Sequence, residues 1–288
     1  MGERKRIIRR VVILANQRKM EGKEIIEEIT TYLKGRGIPF DLNLTFASFK
    51  ETKIEKETDL AICLGGDGTV LSCARLLHAH GIPMLAVNFG TFGFITEICE
   101  SEWKEAFELY EAHKAPVSRR LMLRVTVTRK GEKVLLDHGL NETTLSASGI
   151  SKMVCLDLFI NGTNTGQIRS DGIIVATPTG STAYSLAAGG PILDVDLDAL
   201  IINPVCPFTL SNRPLVITGE DVVLIKVREG QKTQVSLTID GQVLFPLEEG
   251  DEVVIEKARS KALIIASPQR NYYEVIRDKL NWSGGMHA

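Results

Sequence analysis

The sequence predicts two domains of different kinds, an α/β domain with a parallel sheet followed by a domain dominated by β-strands. From Arg10 to about Glu111, short apolar runs alternate with segments of helical period. After Pro116 the chain turns to short β-branched runs broken by Gly and Asn turns. The 288 residues give room for about two domains of ordinary size. The expected division is 1–115 for the α/β domain, 116–266 for the β-rich domain, and a tail, 267–288, that packs back on the first.

Val11 to Leu14 reads as a first strand behind a basic end (Arg4, Lys5, Arg6, Arg9, Arg10). Its apolar run is too short for a signal peptide and lacks a plausible cleavage site. Ile25, Ile29, Tyr32 and Leu33 fall on one face of a helix that ends at Gly35 and Gly37. Leu60 to Leu64 is a buried strand, and Val70 to His80 has the period of a helix. Pro83 to Val87 leads into Asn88-Phe89-Gly90-Thr91-Phe92-Gly93-Phe94, after which Ser101 is placed to cap a helix carrying Trp103, Phe107 and Tyr110. In the second part, strands are expected at Leu121 to Thr128, Val134 to Leu136, Val154 to Ile160, Ile168 to Ala176, Val222 to Val227, Val235 to Ile239 and Val253 to Glu256, with Asn161-Gly162 as a hairpin turn. Ser181 to Gly189 reads as a short helix ended by Gly189-Gly190-Pro191, and Asn271 to Leu280 as an amphipathic segment.

With 44% hydrophobic and 24% charged residues and a formal charge of -2, the chain reads as a soluble globular protein with no global reason to bind nucleic acid or an anionic membrane. Its five cysteines lie in apolar surroundings without a C-x-x-C pair, which argues against a zinc site or a disulfide scaffold. They read as free thiols in a reducing, cytoplasmic compartment. No stretch approaches the length of a membrane span. The histidines are isolated, or, as His78 and His80, set at i and i+2 where they cannot share a metal on a helix.

Two polar constellations carry chemistry. The first is Gly65-Gly66-Asp67-Gly68-Thr69 at a strand-to-helix corner. Glycines there let backbone N–H groups approach a phosphate chain, and the helix adds its positive end. Asp67 is an anion where anions should bind, which suggests chemistry on a hydroxyl beside a phosphate. The same residues also fit a plain turn in which Asp67 caps the helix. The second is Arg169-Ser170-Asp171-Gly172, an apolar run, then Thr177-Pro178-Thr179-Gly180-Ser181-Thr182-Ala183-Tyr184. Its hydroxyls are either satisfied within the turn, with Ser181 as a helix cap, or lent to a ligand.

These motifs, with Asn88-x-Gly90-x-x-Gly93-Phe94, Asn141-Glu142, Gly189-Gly190-Pro191 and Asp240-Gly241-Gln242, stand in the order found in NAD kinases, and the chain resembles that family over nearly its whole length. The resemblance implies a Rossmann-like α/β domain and a β-sandwich-like domain with a site between them, in a kinase family related to diacylglycerol kinase and phosphofructokinase. It implies transfer of a phosphoryl group from ATP to the 2'-hydroxyl of the adenosine ribose of NAD, giving NADP, in a homodimer or homotetramer. Carried over, Asp67 is the general base, with Gly65, Gly66, Gly68 and Thr69 in the phosphate loop. Asn141 and Glu142 hold the diphosphate and the nicotinamide ribose, and Asp171 meets the carboxamide. Phe94, Thr182 and Ala183 line the adenine pocket, supported by Tyr184 with Ser185 and Ala187 beside it, and Gln242 closes the site. Arg169 goes with ATP-restricted donors, although alone it also fits a surface ion pair. Lys152 reads as solvated on its own, and the resemblance brings it near the same site from a neighbouring loop or subunit.

An ordinary aspartate, with a pKa of about 3.9, is a poor base for an alcohol. Phosphoryl transfer through a loose transition state asks chiefly for orientation and charge neutralisation, so a carboxylate that fixes the hydroxyl suffices. Mg2+ carried on the donor phosphates is the expected metal, without a dedicated protein cage. Family members often carry serine at Ala187 and histidine at Phe208, so one ligand hydrogen bond is in doubt here and the imidazole is not required. A lipid or sugar kinase shares the glycine-Asp turn but leaves Tyr184 unexplained. A non-catalytic NADP sensor would keep the pocket, and the intact Asp67 stands against it.

Overall fold

The structure is a computed structural model that describes residues 6–16, 23–45, 49, 52–89, 93–149, 153–209 and 211–282. In chain order the elements are β1 (Val11–Asn16), α1 (Lys23–Gly35), β2 (Phe40–Thr45), β3 (Leu60–Leu64), α2 (Asp67–Leu77), β4 (Met84–Asn88), β5 (Ile98–Cys99), α3 (Trp103–Glu111) and β6 (Val117–Arg120). There follow β7 (Leu123–Arg129), β8 (Glu132–Gly139), β9 (Glu142–Ala147), β10 (Val154–Ile160), β11 (Thr163–Ser170), β12 (Gly172–Ala176), α4 (Tyr184–Ala187), β13 (Ala199–Val205), β14 (Leu215–Thr218) and β15 (Val223–Val227). The chain closes with β16 (Val235–Ile239), β17 (Val243–Leu247), β18 (Glu252–Lys257), β19 (Ala262–Ile265) and α5 (Tyr272–Leu280). It divides into two units, 1–119 with 262–288, and 120–261. Among the described residues, no helix is long and apolar enough to cross a membrane.

The first unit is built on a sheet of order β2-β1-β3-β4-β19-β6, with β5 paired to β4. Its strands β1, β2, β3, β4, β5 and β19 are joined by parallel pairings. β3 and β4 are buried at every residue, which is why they read as unbroken apolar runs in the sequence. On α1, Ile25, Ile29 and Leu33 face the core, and on α3, Trp103, Phe107 and Tyr110 do. Tyr32 meets Trp103 and Phe107 edge to face, with ring centroids 5.2 and 5.7 Å apart. Ser101 lies in a short 3-10 turn, Glu100–Glu102, whose N-cap is Cys99 with its N–H donated to the Glu102 carboxylate, and the N-cap position of α3 is Glu102. Arg270 holds the same Glu102 through two hydrogen bonds of 2.7 Å, which pulls the Glu102 carboxyl below its usual range and pins the segment leading into α5. α5 starts in a capping box between Asn271 and Glu274.

The second unit contains two antiparallel six-stranded sheets, β11-β10-β15-β18-β7-β8 and β14-β13-β12-β9-β16-β17. Alternating residues of both, among them Val125, Val127, Leu156, Ile225, Leu145, Val175, Leu237 and Ile255, fill one common core. This is a β-sandwich. Asn161-Gly162 forms the expected tight turn, with both residues at positive φ.

Some expectations change. The run Ile168 to Ala176 is two strands, β11 and β12, in different sheets, because the chain turns at Asp171. The helix after the first glycine turn begins at Asp67 rather than Val70, and Ser181 to Gly189 holds one helical turn, α4. Residues 262–266, placed by sequence with the second domain, carry β19, a strand of the first sheet, so the boundary falls after Lys261. Substitution of Phe107 by alanine is expected to lower stability by about 3–5 kcal/mol, the usual cost of deleting a fully buried ring, and urea unfolding measures it.

Candidate functional site

In the first unit the glycine turn is the corner between β3 and α2. Gly65 has φ +151, and a Cβ there would lie 2.3 Å from Thr69 Oγ1, so the position admits no side chain without displacement. Gly66 is the N-cap of α2 and offers no side-chain acceptor to the first turn. Asp67 does not cap its own helix. Its Oδ1 accepts the Ile95 and Thr96 N–H groups at 3.2 and 3.0 Å and the Thr96 hydroxyl at 2.8 Å, and its Oδ2 accepts the Phe94 N–H at 3.0 Å. Gly93 makes this approach possible, since a Cβ there would stand 2.0 Å from Asp67 Oδ1. Thr96 is held in turn by Asn88 Nδ2 at 2.9 Å, from the end of β4. Oδ2 therefore keeps capacity for another donor, while Oδ1 is saturated. Gly65, Gly66, Asp67, Gly68, Thr69 and Phe94 are all brought together here. Gly90 lies outside the described residues.

In the second unit, Asn141 and Glu142 open β9, and both are buried. The Asn141 and Glu142 N–H groups donate to Asp240 Oδ1 at 2.8 and 3.2 Å, and the Leu140 N–H donates to Asp240 Oδ2 at 3.0 Å. The 177–184 turn is tied to the same corner. Thr177 donates its N–H to the Asn141 carbonyl at 2.8 Å and its hydroxyl to the Leu140 carbonyl at 2.6 Å. The Tyr184 N–H donates to the Glu142 carboxyl. Glu142 Oε2, Asn141 Oδ1 and Thr179 Oγ1 are buried without a hydrogen-bond partner among the described residues. Burial and the neighbouring Asp240 charge push the Glu142 carboxyl up to about 7.

The Ser/Thr turn is largely satisfied within itself. The Ser181 hydroxyl donates to the Pro178 carbonyl at 2.6 Å and accepts the Leu193 N–H at 3.0 Å, and the Thr182 hydroxyl donates to the Thr179 carbonyl. Ser181 caps no helix, since the N-cap of α4 is Ala183. Thr182 and Ala183 are half-buried, and Tyr184 and Ala187 are exposed. Ser185 is fully buried, with its oxygens facing Asn203 Nδ2, which makes it a brace of the turn. Gln242 is exposed on the turn that Asp240 begins.

Asp171 and Arg169 are not brought to this cluster. They stand before β12, whereas Thr177 follows it, and the extended strand separates Asp171 from Thr177 by roughly 20 Å. Arg169 makes its contact with Phe208, whose ring lies 5.4 Å from the guanidinium carbon. Lys152 lies outside the described residues. In the sequence Asp240 stands within its motif without a role, and Ile95 and Thr96 carry no sign that they hold Asp67. The available signal was Asp240-Gly241 directly after a β-branched strand, the composition of a turn with positive φ, and both residues do have positive φ (52° and 62°).

The chain is similar to known proteins over most of its length. Family models described as the ATP-NAD kinase N-terminal and C-terminal domains match residues 46–115 and 140–267. A protein named NAD kinase from Treponema denticola is 38% identical over 278 residues, 96% of this chain and 98% of that one. Another NAD kinase, from Aquifex aeolicus, is 36% identical over 94% of this chain and 98% of its own. The crystal structure of a yeast NADH kinase complexed with NADH matches with a TM-score of 0.86 and 27% identity, covering 97% of this chain and 89% of that one. An NAD kinase from Archaeoglobus fulgidus in complex with ATP shares the fold, with a TM-score of 0.74 at 24% identity, over 94% of this chain and 98% of that one.

Glu142 makes stability depend on pH. Its folded-state value of about 7 lies above the ordinary 4.5, so between these values the unfolded chain releases the proton that the folded chain keeps, and stability falls as pH rises through that window. Glu142→Gln is expected to remove this dependence, gaining roughly 3 kcal/mol over the parent above pH 7 and nothing below pH 4.5, as read from urea unfolding across pH.

Proposed function

The chain belongs to the NAD kinase family, and from that premise we propose that Asp67 holds the 2'-hydroxyl of the adenosine ribose of NAD for attack on the γ-phosphoryl group of ATP. The enzyme phosphorylates NAD with ATP, giving NADP. The observation that carries the proposed role is the state of the Asp67 carboxylate, locked among the described residues by four hydrogen bonds, one of them to Oδ2. A hydroxyl donating to Oδ2 would be oriented by a group that cannot swing, and the late proton of a loose phosphoryl transfer has an acceptor at hand. The first turn of α2, whose N-cap Gly66 brings no side-chain acceptor, offers its positive end to the phosphates. In the second unit, the orphaned Asn141 Oδ1 and Glu142 Oε2 are acceptors that suit ribose hydroxyls, while Thr182, Ala183 and Tyr184 supply a small-residue surface and an aromatic ring for a flat base.

A divalent ion, ordinarily Mg2+, would neutralise the donor phosphates. Its donor set would be the phosphates and water plus few protein oxygens, while Asp67 Oδ2 stays with the ribose hydroxyl. A homodimer or homotetramer in the cytoplasm rests on the family resemblance and is tested by light scattering and cell fractionation. The lipid-kinase and sensor readings are not favoured, because relatives named as NAD kinases match 96% of the chain.

The test is incubation with NAD, Mg2+ and ATP, with NADP read out by an NADP-specific dehydrogenase. Asp67→Asn is expected to reduce turnover by about a hundredfold to ten-thousandfold, as for loss of a positioned base. It also weakens the acceptor of three backbone N–H groups, so stability should fall by roughly 1–3 kcal/mol without loss of the fold. Near-normal turnover in a folded Asp67→Asn protein would reject the assignment.

A further inference from the structure

Asp240 is buried, sits at φ +52, and meets the site through the backbone of Leu140, Asn141 and Glu142. Its carboxylate gathers the N–H groups of Leu140, Asn141 and Glu142 at 3.0, 2.8 and 3.2 Å, and its own N–H donates to the Glu142 carbonyl at 2.8 Å. Four hydrogen bonds thus join one residue of the β16–β17 turn to three consecutive residues at the start of β9. Three converging N–H groups form a concavity that binds an anion, and here the anion is supplied by the protein itself. Those residues carry the two orphaned acceptors, Asn141 Oδ1 and Glu142 Oε2. A buried acceptor without a donor is costly, and it persists where surrounding structure enforces it.

We propose that Asp240 is the positioning residue of the dinucleotide site, fixing Asn141 and Glu142 with their free acceptors presented to the ligand's hydroxyl groups. This rests on the functional reading above. An electrostatic consequence follows from the same contact. The elements packed on Glu142 are β12, which pairs Ala176 against it, the 177–184 turn, which offers the Tyr184 N–H and an exposed phenol, and the β16–β17 turn, which offers Asp240 and the exposed Gln242. Burial raises the proton affinity of Glu142 most and the Asp240 charge adds to it, so that Glu142 changes charge near pH 7. Ionised Glu142 accepts hydroxyl donors best, and KM for NAD should therefore fall as pH rises through about 7.

The experiment measures KM and kcat for NAD from roughly pH 5.5 to 8.5, about one and a half units either side of neutrality, in the parent, Asp240→Asn and Glu142→Gln. In Asp240→Asn, KM is expected to rise roughly tenfold or more, by a larger factor than kcat falls, since displaced binding groups cost geometry. Its inflection should move to lower pH, because one negative neighbour is gone. A merely structural role would leave that inflection where it is. Glu142→Gln should have no inflection. Parent-like KM and midpoint in folded Asp240→Asn overturn the proposal. Should Asp240→Asn not fold, Asp240→Glu decides, since it keeps the charge and moves the carboxylate off the three N–H groups: a raised KM for NAD with the inflection retained supports the proposal, and a parent-like KM overturns it. Absence of NADP formation by the parent would remove the functional reading itself, a distinct outcome.

Discussion

A carboxylate that gathers several backbone N–H groups is the constraint on which both halves of the candidate machinery depend. Asp67 takes three N–H groups and a hydroxyl from the 94–96 segment, and Asp240 takes three N–H groups from 140–142. Neither segment satisfies these donors within a helix or a strand ladder. Each donor left unpaired in the interior would cost roughly 1–3 kcal/mol, and hydrogen bonds to an ionised acceptor are about twice as strong as neutral ones. The two aspartates thereby impose a single conformation on segments with little regular structure of their own.

Sheet topology explains why these partners meet. β3 and β4 are adjacent and parallel, so the segments that follow them leave the sheet at one edge, and Asp67 after β3 meets Phe94 to Thr96 beyond β4. In the second unit β9 lies between β12 and β16 and is antiparallel to both. The start of β9 therefore falls beside the ends of its two neighbours. This brings Asn141-Glu142, Thr177 to Tyr184 and Asp240 to one edge, and the same geometry sends Asp171 and Arg169 to the opposite one.

Much of the fold was legible because burial leaves a periodic trace. β10 and β16 have the bounds read from the sequence, and β3 does as well, since alternation or an unbroken apolar run is a local signal. β2 went unseen because it is an edge strand with Leu42 and Leu44 exposed among Asp and Asn. β9 was hidden by its composition, Glu-Thr-Thr-Leu-Ser-Ala, whose buried hydroxyls look polar in sequence and find partners only across the sheet, as Thr143 does with the Thr238 carbonyl at 2.9 Å. β11 and β12 ran together because nothing local announces that a turn at Asp171 passes the chain from one sheet to the other.

By itself the sequence determined the two kinds of domain, the family, the glycine-Asp corner and the small-residue turn that ends in Tyr184. These depend on residue type and spacing along the chain. Tertiary structure decided whether Asp67 caps its own helix or braces a distant loop, which hydroxyls of the 177–184 turn are already satisfied, and that Asp240 organises Asn141 and Glu142. A hydrogen bond between residues nearly a hundred positions apart has no periodicity to betray it, because its geometry is set by the sheet that folds those segments side by side.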